Sequence, residues 1–172
     1  MFIQTNGLLL NDEQINRLGE IFSPYLDVVQ ISLDASTEGT FEKVRKSKGF
    51  SSLVDTIRKL VSNNIKVSIN CTVNKFNINE VTSLYDICRE LGAMDFAVSR
   101  LQAYNDMHKD IEPDDESLML LAAELLCKEK KYQNAGTFLA INLFSIFDLV
   151  NNPKIEKILS LPMYKQRICL LY

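Results

Sequence analysis

The stretch VVQISLDAST, residues 28–37, is the part of the chain that decides the fold. It begins as an apolar, β-branched run, which favours a buried strand. It ends in hydroxyl side chains around Asp34. In parallel α/β proteins, polar residues at the carboxyl end of a strand are placed where ligands bind. The stretch therefore predicts a buried strand with a binding site at its end.

Other stretches repeat this pattern along the first hundred residues. The strand candidates are MFIQT (1–5), DVVQISL (27–33), KVSINCTV (66–73) and DFAVSR (95–100). Amphipathic stretches lie between them, from about Asp12, over 50–63 and over 77–91. Strands that alternate with helices at this spacing predict right-handed crossovers and parallel pairing, which is an α/β fold.

The helix expected after the third strand has a start and a stop signal. Asn77 is a candidate N-cap and Glu80 follows three residues later, which predicts a capping box. Gly92 is a candidate C-terminal stop.

From about residue 113 the pattern changes to helices. A helix is expected from Asp114 or Asp115 to the lysines at 128–131, because acidic and basic ends match the helix dipole. Two more apolar helical stretches are expected at about 136–150 and 154–168. No further strand is predicted.

Composition narrows the classes of protein. The chain has 172 residues, 47% of them hydrophobic and 24% charged, which suits one globular core. A net charge of -3 with scattered basic residues argues against a nucleic-acid partner. No window reaches the roughly 18 apolar residues that a membrane span needs, and no basic leader precedes the first apolar residues. We expect a cytoplasmic protein with no membrane partner.

The four cysteines, at positions 71, 88, 127 and 169, contain no CxxC pair. No metal site built from local sequence is therefore predicted, and most of these residues are expected to be small core side chains. The single histidine, His108, is expected in a solvated loop.

Polar residues follow each predicted strand. They are Thr5, Asn6, Gly7, Ser32, Asp34, Ser36, Thr37, Asn70, Thr72, Asn74, Ser99, Arg100 and Gln102. One interpretation is that loop starts are simply polar. The other is a shared site, in which Asp34 accepts both hydroxyls of a ribose and Arg45 binds a carboxylate through two donors. The second interpretation suits a nucleoside joined to an amino acid.

The ordered motifs resemble a known family. They are TNG (5–7), QISLDAST (30–37), FEKVRKSKGFSSLVDTIRKL (41–60), VSINCTVNKFNINE (67–80) and LGAMDFAVSRLQ (91–102). This series, over about residues 1–105, is similar to the later strands of radical S-adenosylmethionine enzymes, closest to the branch with a SPASM or twitch extension. The resemblance implies a partial (β/α) TIM-like barrel with parallel strands over 1–112. A helical segment over 113–172 would lead toward a missing SPASM-like or twitch-like domain.

The resemblance also implies how the cofactor is held. Ser32 and Arg45 look like the pair that holds the methionine carboxylate of S-adenosylmethionine, and Asp34 resembles the acid of the family's S-x-D pattern. The alternative for Asp34 and Arg45 is a surface ion pair.

Four further residues are carried over at the other strand ends. Asn70 and Thr72 would lie near the ribose, Leu101 would offer backbone and apolar contact to adenine, and Asn6 would line the cavity. Simple capping of strand ends is the alternative for Asn6, Asn70 and Thr72.

The implied reaction is reductive cleavage of S-adenosylmethionine to a 5'-deoxyadenosyl radical that abstracts hydrogen from a peptide or other polar substrate. The family's 4Fe-4S cluster is bound by a CxxxCxxC segment, and neither this segment nor a GGEP-like tip occurs in the chain. We therefore expect the chain to begin at the family's third strand and to be inactive alone. Cys169 remains open between an auxiliary-cluster ligand and a structural thiol.

Two other functions stay open. A chain that begins at the third strand would leave MFIQT as an exposed edge, available for self-association or for docking on another protein. This would make the chain a non-enzymatic α/β interaction module. An unrelated TIM-type enzyme with Asp34 as its acid is the third hypothesis.

Overall fold

A single parallel sheet organises the protein. The structure, a computed structural model, describes residues 1–102, 106–132 and 136–143. The strands are β1 (Phe2–Thr5), β2 (Val28–Ser32), β3 (Lys66–Val73), β4 (Asp95–Arg100) and β5 (Phe138–Asn142). They form one five-stranded sheet in the order β1-β2-β3-β4-β5, and every neighbouring pair is parallel.

The helices connect consecutive strands. They are α1 (Asp12–Ile21), α2 (Glu38–Arg45), α3 (Phe50–Ser62), α4 (Val81–Glu90) and α5 (Asp115–Lys131). Short 3₁₀ turns occupy Ile78–Glu80 and Asp106–Ile111. The predicted α/β fold is confirmed, and the first four strands lie within a residue or two of their predicted bounds.

The expectation of no strand after residue 113 is wrong. β5 lies inside the stretch predicted as a helix at 136–150, and it pairs with β4 from Asp95↔Phe138 to Ser99↔Asn142. A long apolar run with few β-branched residues does not distinguish a buried strand from a buried helix, so pairing with β4 decides the outcome. α5 confirms the helix predicted from Asp114 or Asp115. The helix expected at 154–168 lies outside the described residues.

The two faces of the sheet differ in character. One face carries fully buried apolar residues, and they join a single core with α1, α3, α4 and α5. Its central members are Val29, Ile31, Val67, Ile69, Phe96 and Val98. The opposite face follows from the alternation of side chains along each strand and carries mostly polar residues. These are Gln4, Gln30, Ser32, Ser68, Asn70, Thr72, Asp95, Ala97 and Ser99, and we call them the polar face.

The remaining expectations concern single residues and the membrane. Cys71 and Cys88 are buried as predicted, Cys127 is exposed, and Cys169 lies outside the described residues. His108 is exposed. Among the described helices, none is both long and apolar enough to cross a bilayer.

Candidate functional site

A small pocket lies at the carboxyl ends of β1 and β2. Its volume is about 180 Å³. The residues that line it are Asn6, Leu8, Ser32, Phe41, Arg45 and Ser47. Three of the predicted site residues, Asn6, Ser32 and Arg45, are therefore brought together.

The turn after β1 requires its glycine. Gly7 has a φ of +72°, and a Cβ at this position would lie 2.5 Å from Cδ1 of Leu53. Thr5 Oγ1 accepts a hydrogen bond from the Gly7 N–H at 3.1 Å, and Asn6 Oδ1 accepts one from the Leu8 N–H at 3.2 Å. The TNG sequence thus folds into a tight turn that holds Asn6 and Leu8 at the pocket.

Asp34 connects the end of β2 to its neighbours. Its Oδ1 accepts a hydrogen bond from the backbone N–H of Thr72 at 2.7 Å, and its Oδ2 forms an ion pair with Nη2 of Arg45. Asp34 is only 5% exposed, so the carboxylate of this ion pair does not lie on the surface, unlike in the alternative of a surface ion pair. A ribose would have to displace one of these partners to reach the carboxylate.

Burial is the main influence on the pKa of Asp34 in this ion pair. Desolvation raises the pKa of Asp34 above its usual value, although the Arg45 charge and the Thr72 N–H act to lower it. The side chain of Arg45 is 31% exposed, and it reaches from Asp34 to the pocket. A guanidinium carries five N–H donors in a planar fork, so Arg45 can bind Asp34 and a ligand carboxylate together.

The other predicted site residues lie beside the pocket. Asn70 is the register partner of Ser32, and Thr72 follows two residues later on the same face of β3. Leu101 lies just beyond β4, where its N–H donates to the carbonyl of Val73 at 3.0 Å. These three residues do not line the pocket but continue from it across the polar face and the end of β4.

The predicted capping box at Asn77 and Glu80 is wrong. Asn77 makes no side-chain cap, because its Oδ1 accepts from the Asn74 N–H and its Nδ2 donates to the carbonyls of Asp34 and Thr72. Glu80 accepts hydrogen bonds from the loop after β2 instead. The partners of Glu80 and one partner of Asn77, the Asp34 carbonyl, lie 40 to 44 residues away, and no local spacing signals them.

Arg100, a polar residue at the end of β4, is held by ion pairs within the protein. It pairs with Asp115 at 2.8 Å and with Glu112 at 3.4 Å.

Phe41 was missed as a pocket residue, although its position four residues before Arg45 places both on one face of α2. Among the described residues, no group of three or more His, Cys, Asp or Glu residues could hold a metal ion.

Curated relatives match a large part of the chain. It is 33% identical over 97 residues to the sporulation killing factor maturation protein SkfB of Bacillus subtilis, which covers 56% of this chain and 23% of SkfB. It is 28% identical over 141 residues to a GTP 3',8-cyclase of Clostridium perfringens, which covers 81% of this chain and 41% of the cyclase. The chain therefore spans less than half the length of these relatives. A comparison with protein-family models finds no match.

Solved structures share the fold. Streptococcus suis SuiB bound to S-adenosylmethionine superposes with a TM-score of 0.67 at 16% identity, over 89% of this chain and 33% of SuiB. The enzyme anSMEcpe with bound AdoMet gives a TM-score of 0.60 at 16% identity, over 81% of this chain and 39% of that enzyme. The fold is the partial barrel of radical S-adenosylmethionine enzymes. The curated relatives to which the chain is similar in sequence are radical S-adenosylmethionine enzymes, and some of them are peptide maturases.

Proposed function

We propose that this chain forms part of the S-adenosylmethionine-binding barrel of a radical S-adenosylmethionine enzyme. In this proposal Arg45 and Ser32 hold the methionine carboxylate, and Asn6 lines the same pocket. The observation that carries it is the pocket at the strand ends, which brings Asn6 and Ser32 together with the Arg45 guanidinium that Asp34 already holds in place.

The volume of the pocket is large enough for one end of S-adenosylmethionine but not for the whole cofactor. Pockets for whole small molecules usually have volumes of about 300–1,000 Å³. A volume of about 180 Å³ suits an amino-acid head group. The nucleoside would extend along the ends of β3 and β4, with the ribose near Asn70 and Thr72 and the adenine against Leu101.

The chemistry comes from the cofactor, and this chain's residues bind and orient it. In the complete enzyme, one electron from the 4Fe-4S cluster would cleave S-adenosylmethionine to methionine and a 5'-deoxyadenosyl radical, and this radical would abstract hydrogen from a substrate. The described residues do not fit a 4Fe-4S cluster, since no group of three or more of their His, Cys, Asp or Glu side chains could hold a metal. We assign the cluster ligands to another part of the complete enzyme and expect no activity from this chain alone.

We infer a peptide or another polar molecule as substrate. The polar face presents amide and hydroxyl side chains beside the pocket, which are groups that hydrogen-bond a polar ligand. SuiB has been solved with its precursor peptide SuiA, which gives a peptide substrate a precedent on this fold. We also propose that the protein is cytoplasmic and that the complete enzyme has a SPASM-like or twitch-like part beyond the barrel.

Calorimetry with S-adenosylmethionine tests the proposal. We expect weak, measurable binding to the wild-type chain and none to Arg45→Gln, because the variant loses the charge that pairs with the ligand carboxylate. Arg58→Gln is the matched control, since Arg58 is an exposed guanidinium on α3 that pairs with Asp55. Equal binding by the Arg45 and Arg58 variants would overturn the assignment of Arg45.

A second experiment tests the enzyme class. The segment that precedes this chain in the genomic neighbourhood is joined to it, the cluster is reconstituted without oxygen, and 5'-deoxyadenosine is measured. Formation of this product supports the proposal. Its absence from a cluster-loaded protein would rule out the reaction.

The interaction module remains a second candidate because of one observation. An apolar groove of about 290 Å³ lies beside β1, whose outer edge has no strand partner among the described residues. Ile3, Leu10, Leu18, Ile21 and Val29 contribute to its lining. An unpaired edge next to an apolar groove favours docking or self-association through added strands.

A further inference from the structure

Glu80 gathers the loop that follows β2. Its Oε2 accepts hydrogen bonds from the backbone N–H and the hydroxyl of Ser36, both at 3.0 Å. Its Oε1 accepts from the hydroxyls of Thr37 at 3.0 Å and Thr40 at 2.6 Å. One carboxylate therefore binds three side chains that lie 40 to 44 residues away in the sequence.

These hydrogen bonds fix the start of α2. Thr37 is the N-cap of this helix and accepts from the Thr40 N–H at 3.3 Å. Thr40 itself is buried and lies in the first turn. Because Glu80 binds both residues, it fixes where α2 begins and in which direction it runs.

The hydrogen bonds around Glu80 favour its ionised form. Burial acts to raise its pKa, but the hydrogen bonds from Thr40, Ser36 and Thr37 together lower the pKa below the usual value of 4.5. The group is thus an ionised acceptor at neutral pH, and hydrogen bonds to an ionised acceptor are stronger than neutral ones.

The pocket lies at the other end of the same helix. Phe41 and Arg45 are on α2 and both line it, whereas Glu80 is not among the residues that line it. We propose that Glu80 is a positioning residue, which holds α2 so that Arg45 reaches a ligand carboxylate in the pocket that Phe41 also lines. This inference rests on the proposed function, because it assigns Glu80 to the same ligand site.

Substitutions at Glu80 separate geometry from charge. Glu80→Ala removes every acceptor, Glu80→Asp keeps the charge on a shorter side chain, and Glu80→Gln keeps the length. Glutamine can place its oxygen at Ser36 and its NH₂ group at the two threonine hydroxyls, which can accept. A positioning role therefore predicts that Gln rescues S-adenosylmethionine binding and Asp does not. Glu80→Ala is expected to bind about tenfold more weakly, because Arg45 is no longer held in the geometry in which it pairs with the ligand carboxylate.

Glu129→Gln is the control for general destabilisation. Glu129 accepts from the hydroxyl of Tyr85 between α4 and α5, away from the pocket. We expect this variant to bind S-adenosylmethionine like wild type even where its unfolding midpoint falls as far as that of Glu80→Ala. Equal loss of binding in both variants, or wild-type binding by Glu80→Ala, would overturn the positioning role.

A second readout does not depend on cofactor binding. The Nε–H resonance of Arg45, assigned in a ¹H–¹⁵N spectrum by its loss in Arg45→Gln, reports the guanidinium paired with Asp34. We expect Glu80→Ala to shift and broaden this resonance, while Glu80→Gln and Glu129→Gln leave it in place. No S-adenosylmethionine binding by wild type would reject the proposed function, and an unmoved resonance in Glu80→Ala would reject the role of Glu80.

Discussion

Asp34 shows why a buried strand ends in a carboxylate. The residue lies two positions beyond β2, with its side chain among buried groups, and it joins the Thr72 backbone of β3 to Arg45 of α2. A buried carboxylate is costly unless it is paired and hydrogen-bonded, and both conditions are met here. The acid therefore holds the arginine toward the pocket and fastens the strand end at the same time.

Asp34→Asn is predicted to change how stability depends on pH. Because the folded-state pKa is raised above its usual 3.8, the unfolded chain loses this proton first as the pH rises. The contribution of Asp34 to the free energy of unfolding is thus largest below pH 3.8 and is lost as the pH rises through the raised pKa. The free energy of unfolding of wild type, relative to that of Asp34→Asn, should therefore decrease as the pH rises from 3.8 through the raised pKa of Asp34.

Urea unfolding of both proteins over a pH series measures that difference. Other carboxylates, such as Glu38 and Asp114, have lowered pKa values and cancel in the comparison because both proteins carry them. A difference that moves in favour of wild type with rising pH would show that the Arg45 charge outweighs burial.

Gly7→Ala is predicted to destabilise the protein by about 1–3 kcal/mol, because a side chain at positive φ is strained and its Cβ would contact Leu53. Gly39→Ala is the matched control, since Gly39 lies in α2 with no atom near its Cβ position. That change should be neutral or stabilise by about 0.5–1 kcal/mol, as alanine is the better helix former. Urea unfolding measures both, and equal effects would contradict the explanation.

At the scale of elements, local patterns predicted what local forces determine. The strands β1 to β4 follow from β-branched runs, and the amphipathic helices follow from apolar periodicity. β5 was not predicted, because its sequence fits a helix until β4 supplies the hydrogen-bond partners. The strand-end pattern and the family resemblance together predicted that Asn6, Ser32 and Arg45 would lie near one another, and all three line the pocket. The distant partners of Glu80 and Asn77 were not predicted, because no sequence spacing indicates them.

The loop between β3 and α4 is predicted to depend on Asn77. This side chain is fully buried, accepts from Asn74, and donates to the carbonyls of Asp34 and Thr72. Asn77→Ala would deprive the Asn74 N–H and the Asp34 carbonyl of these hydrogen bonds and would leave the Thr72 carbonyl with the Asn74 Nδ2 donor at 3.5 Å, at a cost of about 1–3 kcal/mol for each unsatisfied group before relaxation.

Asn63→Ala provides the comparison for Asn77→Ala. Asn63 donates to the carbonyl of Lys59 at 2.9 Å on an exposed surface, so water can replace its side chain. We expect a change within about 0.5 kcal/mol for this variant. Thermal or urea unfolding that ranks the two variants equally would show that the loop is not held by Asn77.

At the scale of the whole molecule, the sheet has two different faces and two ends. Helices cover the apolar face, while the polar face leads to the pocket through Ser32. At one end, the outer edge of β1 has no strand partner within the described part of the chain, Phe2 is 61% exposed, and the apolar groove around Ile3 and Ile21 lies beside this strand. An edge strand presents backbone N–H and C=O groups that another strand can pair with, so the outer edge of β1 is a candidate site for strand addition.

Association through β1 is predicted to be sensitive to a charge at the edge. Phe2→Lys should weaken concentration-dependent self-association of the wild-type chain in sedimentation equilibrium, because a lysine at an edge strand must be desolvated when another strand pairs with it. Leu120→Lys introduces the same charge at a site that is 62% exposed on α5, against 61% for Phe2, and should associate like wild type. A wild-type chain that stays monomeric at all concentrations, or equal weakening by both lysines, would exclude β1 as the interface. If Phe2→Lys alone dissociates and Arg45→Gln does not, the edge and the pocket act independently, and self-association is a property of the sheet rather than of ligand binding.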